Sequence, residues 1–72
     1  MLKVADLLTQ LDEAEHLLLA NAIGAGLHNA GMAARCLTDP DHHSQDVVQL
    51  LGYLSLAVAE LEAARELVRR RA

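Results

Sequence analysis

The chain has no phenylalanine, no tryptophan, a single tyrosine (Tyr53), a single proline (Pro40) and a single cysteine (Cys36). Each scarcity excludes something. One cysteine cannot form an internal disulfide, so covalent stapling of the fold is ruled out. One proline over 72 residues leaves long stretches free of a helix breaker. A core without Phe or Trp has to be aliphatic, and the sequence supplies alanine and leucine, both strong helix formers. Positive charge is also in short supply. Six Lys and Arg stand against ten Asp and Glu, a formal net charge of −4. That balance gives no overall attraction to nucleic acid or to an anionic membrane. A basic segment followed by an apolar run and a cleavage site is not visible at the N-terminus. With a free thiol and no such signal, the expected location is the cytoplasm.

A chain of 72 residues is read as one domain, residues 1–72. A domain of this size buries only about 60% of its unfolded surface and is marginal as a monomer. Without disulfides, support has to come from a metal or from association, and the apolar content favours association.

Apolar residues recur at helical spacing from Lys3 to Cys36, first as Val4, Leu7, Leu8, Leu11, Ala14, Leu18, Ala22 and Ala25. A second row follows through Leu19, Ile23, Leu27, Ala30, Ala33 and Leu37. The pattern predicts one helix over about 3–36. A break follows at about 37–40, where Asp39 is a good N-cap and Pro40 suits the first helical position. Ser44 offers a later cap. A second helix is predicted from about 40 to 70, carrying the row Val47, Leu50, Leu54, Ala57, Leu61, Ala64 and Val68. These positions alternate three and four apart, the signature of a helix-packing seam. A connection this short forces the helices antiparallel. The fold class is therefore all-α, a long antiparallel hairpin. The acidic start of the first helix, with Asp6 and Asp12, is expected beside Arg65, Arg69 and Arg70 at the end of the second.

Small residues four apart, Ala22, Gly26, Ala30 and Ala34, predict close helix packing, with Gly26 opposite Gly52 or its neighbours. Tyr53 is expected beside the core row, level with Gly24–Gly26. The second helix carries a further row: Val48, Gly52, Leu56, Ala59, Ala63 and Leu67. One neighbouring helix cannot cover both rows, and soluble monomers avoid a long exposed apolar stripe. The hairpin is therefore expected to dimerise into a four-helix bundle, with this further row facing the second copy or another protein.

The candidates for chemistry are few. Cys36, Asp39, Asp41, His42 and His43 are metal-ligand types near the predicted turn, but their spacing fits no zinc motif, and no metal or other cofactor is expected. His16 lies one turn after Asp12, yet Ser44 and Ser55 have no catalytic setting, so no enzyme activity is expected. A helix-turn-helix would need a third helix and a basic face, so nucleic acid is not an expected partner. Leu17–Ala34 has no Asp, Glu, Lys or Arg, but it contains Asn21, His28, Asn29 and three glycines. It reads as a buried interface helix and not as a membrane span.

The run Leu11-Asp12-Glu13-Ala14-Glu15-His16-Leu17-Leu18, the Asp39-Pro40 turn and Gly52-Tyr53-Leu54 through Ala57 together resemble short helical-hairpin proteins of bacteria and their phages. That group includes small dimeric inhibitors, among them anti-activators of quorum-sensing regulators. The helix–Asp-Pro turn–helix order is also similar to type III secretion needle subunits and their small co-chaperones, although needle subunits carry a second proline in the turn where His43 and Ser44 stand here. Both are likenesses of pattern and carry no site residues over. The resulting expectation is a non-enzymatic interaction protein, a dimeric hairpin that binds and regulates or inhibits another protein. The alternatives are a structural or co-chaperone subunit of a larger assembly and a DNA-associated regulator.

Overall fold

Three α-helices follow one another along the chain: α1 (Val4–Gln10), α2 (Glu13–Thr38) and α3 (Val47–Arg71). The computed structural model describes residues 3–38 and 47–71. The predicted second-helix start, with Asp39, Pro40 and Ser44, lies outside the described residues, as do Asp41, His42 and His43. α2 continues to Thr38, whose hydroxyl donates to the Ala34 carbonyl oxygen at 3.0 Å.

The predicted single helix over 3–36 is interrupted. α1 ends at Gln10, Leu11 is extended with φ −90° and ψ 134°, and α2 begins at Glu13. The cause is a reciprocal cap. The Asp12 carboxylate accepts the Glu15 backbone N–H at 2.8 Å, and the Glu15 carboxylate accepts the Asp12 backbone N–H at 3.2 Å. Asp-x-x-Glu before an apolar run is a start signal, and here it overrides the apolar periodicity that runs through it. Asp6 does similar work at α1, where its carboxylate accepts the Lys3 backbone N–H at 3.2 Å. Asp12→Ala is expected to lower unfolding stability by about 0.5–2 kcal/mol. Urea denaturation would read this, and an unchanged midpoint would show that the cap contributes nothing.

α2 and α3 pack along their length, α1 adds a small contact on α3, and Leu7 is the buried residue of α1. The helix pair is antiparallel: Glu15, at the start of α2, meets Arg71, at the end of α3, while Gly26 lies against Ala57 and Leu61. Burial along α2 falls on Leu19, Gly26 and Ala33, seven apart, with Glu15, Ala22, Asn29 and Cys36 half-buried along the same stripe and Ala25 and Met32 half-buried beside it. On α3, Ala57 and Ala64 are buried, and Leu50, Tyr53, Glu60 and Leu67 are half-buried along one stripe, with Val68 half-buried beside it. Each set alternates three and four apart, so two heptad seams face each other. Carried along at equal rise, the Glu15–Arg71 level also pairs Ala22 with Ala64 and Ala33 with Tyr53. Tyr53 is therefore level with Ala33 and not with Gly24–Gly26.

The seam differs from the predicted core row of α3. Ala57 and Ala64 of that row are buried, but Leu54 is 43% exposed, Leu61 41% and Val47 68%. Small side chains let the two backbones come close, and at that separation the larger ones are turned to the sides. Among the described residues only Leu7, Leu19, Ala33, Ala57 and Ala64 form a buried apolar core, while fourteen large apolar side chains are 40% or more exposed. The hairpin is thus built with its small residues inside and most of its large apolar residues outside.

Candidate interaction surfaces

Two polar contacts fix the hairpin's register. Within the seam, the Asn29 side-chain amide donates to Glu60 Oε1 at 2.7 Å and to the Ala25 carbonyl oxygen at 3.2 Å. A polar pair inside an apolar seam strongly penalises a slip, because any other register leaves both groups half-buried without each other. At the open end, Arg71 Nε donates to Glu15 Oε2 at 2.8 Å, and its Nη2 reaches the same oxygen. Glu15 therefore serves both the α2 cap and the interhelical contact. The expected pairing of Asp6 and Asp12 with Arg65, Arg69 or Arg70 does not form, because both aspartates are engaged in capping their own helices. Arg69 and Arg70 instead lie 3.8 and 4.0 Å from Glu66 on their own helix. Glu15, Asn29, Glu60 and Arg71 were legible as positions of the seven-residue repeat once the small residues, and not the leucines, are taken as the seam.

The small-residue row is only partly used in the hairpin. Gly26 is buried, and a Cβ there would lie 2.7 Å from both Cγ and Cδ2 of Leu61 and 3.5 Å from the Ala57 carbonyl oxygen. Its counterpart is thus Ala57–Leu61 and not Gly52. Ala22 is half-buried beside it, whereas Ala30 and Ala34 are exposed. Residues spaced strictly four apart drift around a helix of 3.6 residues per turn, so the row leaves the seam after Gly26. Gly24, Gly31 and Gly52 face open space, with no neighbour within 4 Å of an added Cβ and no positive φ. Gly24→Ala and Gly31→Ala are each expected to stabilise the protein by about 0.5–1 kcal/mol, through helix propensity and a less flexible unfolded chain. Thermal melting would read the rise, and a fall would place another helix against that surface.

Two apolar flanks remain, one on each side of the seam. On one flank Leu61 leans over Gly26, and helix geometry sets Ile23, Leu27 and Ala30 of α2 beside it. Leu51, Leu54 and Val58 extend this flank along α3, exposed by 56%, 43% and 54%. The other flank holds a shallow groove of about 220 Å³ lined by Leu18, Leu19, Ala22, Ala63, Ala64, Leu67 and Arg70. The row predicted as the interface runs from this groove onto the outer surface of α3. Leu67 is half-buried, while Val48, Gly52, Leu56, Ala59 and Ala63 are exposed.

Among the described residues, chemistry-bearing side chains do not converge. His16 and His28 are exposed and Cys36 is half-buried. Among the described residues no three His, Cys, Asp or Glu side chains come together as a metal-binding group. By length and composition, α3 is apolar enough to cross a membrane. The register, however, sets Glu60, Glu62, Arg65 and Glu66 level with the uncharged stretch of α2, so a bilayer holding both helices would also have to hold those charges. No known protein family, curated protein or solved structure matches the chain.

Proposed function

We propose that this chain is a small non-enzymatic interaction protein, a hairpin that dimerises and, as a dimer, binds and regulates another protein in the cytoplasm. The observation that carries this reading is the inverted distribution of side-chain size: among the described residues, five apolar ones are buried and fourteen large ones are exposed. An apolar surface this extensive marks an interaction site. The two flanks divide the task, one for the second copy and one, with Val48, Gly52, Leu56, Ala59, Ala63 and Leu67, for the regulated partner. The reading needs no cofactor. The contacts of Arg69 and Arg70 with Glu66, and of Arg71 with Glu15, offset the positive charge that a DNA-associated regulator would use.

The test is affinity purification from the native host with the wild-type chain and with Leu56→Glu, each checked by circular dichroism. Regulation predicts one co-purifying protein that is lost with Leu56→Glu while the helical signal persists. Recovery of a multi-subunit assembly at fixed stoichiometry would favour the structural or co-chaperone reading instead.

A further inference from the structure

The junction between α1 and α2 has two ways to satisfy the same backbone groups. No proline or glycine stands between Val4 and Ile23, and among the described residues none has a positive φ. The usual causes of a sharp helix break are therefore missing. Side chains make the break instead. In a continuous helix the Asp12 N–H would donate to the Leu8 carbonyl, and the Glu15 N–H to the Leu11 carbonyl. Here the Glu15 carboxylate takes the first at 3.2 Å and the Asp12 carboxylate takes the second at 2.8 Å. Each side-chain acceptor replaces one backbone acceptor, so joining the two helices exchanges like for like at both groups. The sequence also suits the joined form. Val4, Leu8 and Leu11 stand three or four residues apart and lead directly into Glu15, Leu19 and Ala22 on the seam face of α2. Joining gives up the cap and the burial of Leu7, the one buried residue of α1.

A third contact acts on this balance from outside the junction. Glu15 uses Oε1 for the Asp12 N–H, while its Oε2 accepts both Nε and Nη2 of Arg71, 56 residues further along the chain. The Glu15 side chain is 17% exposed and that of Arg71 47%. A charge-assisted contact of this kind fixes the carboxylate in the orientation that reaches back to Asp12. The end of α3 thus holds the break at the start of α2. We infer that Arg71 is the latch of a two-position arm. With Arg71 on Glu15, α1 stays folded back on α3. With that contact gone, α1 and α2 join into one helix, and Val4, Leu8 and Leu11 move into line with the seam face. The inference stands on the contacts at the junction and is independent of what the apolar flanks bind.

Nuclear magnetic resonance of the full chain tests this through the backbone carbon shifts of Leu11 and Asp12 and the contacts of the Leu7 methyls with α3. The wild type is expected to show an extended Leu11 and a docked Leu7. In Arg71→Ala the Leu11 shifts should move into the helical range and the Leu7 contacts should be lost. Arg71→Lys, which keeps a cation at this position, should retain the break, and Arg69→Ala, whose partner is Glu66, should move neither signal. Glu15→Gln keeps an oxygen for Asp12 but loses the charge that holds Arg71, so it should shift the same way as Arg71→Ala and serves where that variant loosens the hairpin. Unmoved resonances from Leu19 to Ala33 report that the hairpin itself is folded. Asp12→Ala removes the cap directly and should give helical shifts from Leu11 to Glu15 even as overall stability falls. Coil shifts over those residues in Asp12→Ala, the mark of a frayed helix start, overturn the two-position arm. Wild-type shifts at Leu11 in both Arg71→Ala and Glu15→Gln overturn the latch.

Discussion

Gly26→Leu is expected to destabilise the protein by about 3 kcal/mol or more, the upper part of the range for overpacking a close-packed site. An alanine Cβ at this position already falls 2.7 Å from two carbons of Leu61. A leucine would also press on the Ala57 carbonyl, which cannot rotate out of the way as a side chain can. The helices would have to separate at the middle of the seam, weakening the Asn29–Glu60 hydrogen bond one turn away. For a chain this short, 3 kcal/mol corresponds to a fall in melting temperature of roughly 12–24 °C. Gly24→Leu is the matched control, since nothing lies within 4 Å of its added Cβ. Equal melting temperatures for the two variants would mean that Gly26 is not at a close approach of the two backbones.

The second large effect concerns a leucine that the hairpin leaves 43% exposed. In a lone hairpin, Leu54→Ala removes a half-exposed side chain and should cost only about 1 kcal/mol. If a second copy covers this flank, the same substitution opens a cavity in the interface and should cost about 2–5 kcal/mol. The dimer predicts the larger value, together with a melting temperature that falls as the protein is diluted. Equilibrium unfolding at several protein concentrations distinguishes the two. A loss of about 1 kcal/mol, independent of concentration, would leave Leu54 as exposed as it is in the hairpin.

Much of the fold is legible in the sequence, and the places where it is not have physical causes. The helical class follows from composition and periodicity, and the Glu66–Arg70 pair is where a four-residue spacing puts it. The break at Leu11 and Asp12 is hidden because the apolar pattern runs through it, and a local capping box outweighs periodicity at one point in the chain. The seam is harder to find. Leucine at three-and-four spacing is normally the inner row, and here alanine and glycine take most of the buried places, with Leu19, while most leucines line the flanks. Hydrophobicity ranks residues by their gain on burial, but which row faces the nearest helix depends also on how closely the backbones approach. Gly26 marks that approach; Gly24 and Gly31 look the same in sequence and face open space. The row from Val47 to Val68 has the spacing of a core, yet in the hairpin alone only Ala57 and Ala64 of it are fully buried.

We propose that this hairpin exposes too much apolar surface to exist alone in water. Sedimentation equilibrium of the wild-type chain at micromolar concentration tests it most directly. A folded particle of twice the 7.8 kDa chain mass is the predicted result. A monomer of 7.8 kDa with full helical signal and a cooperative melt would contradict it.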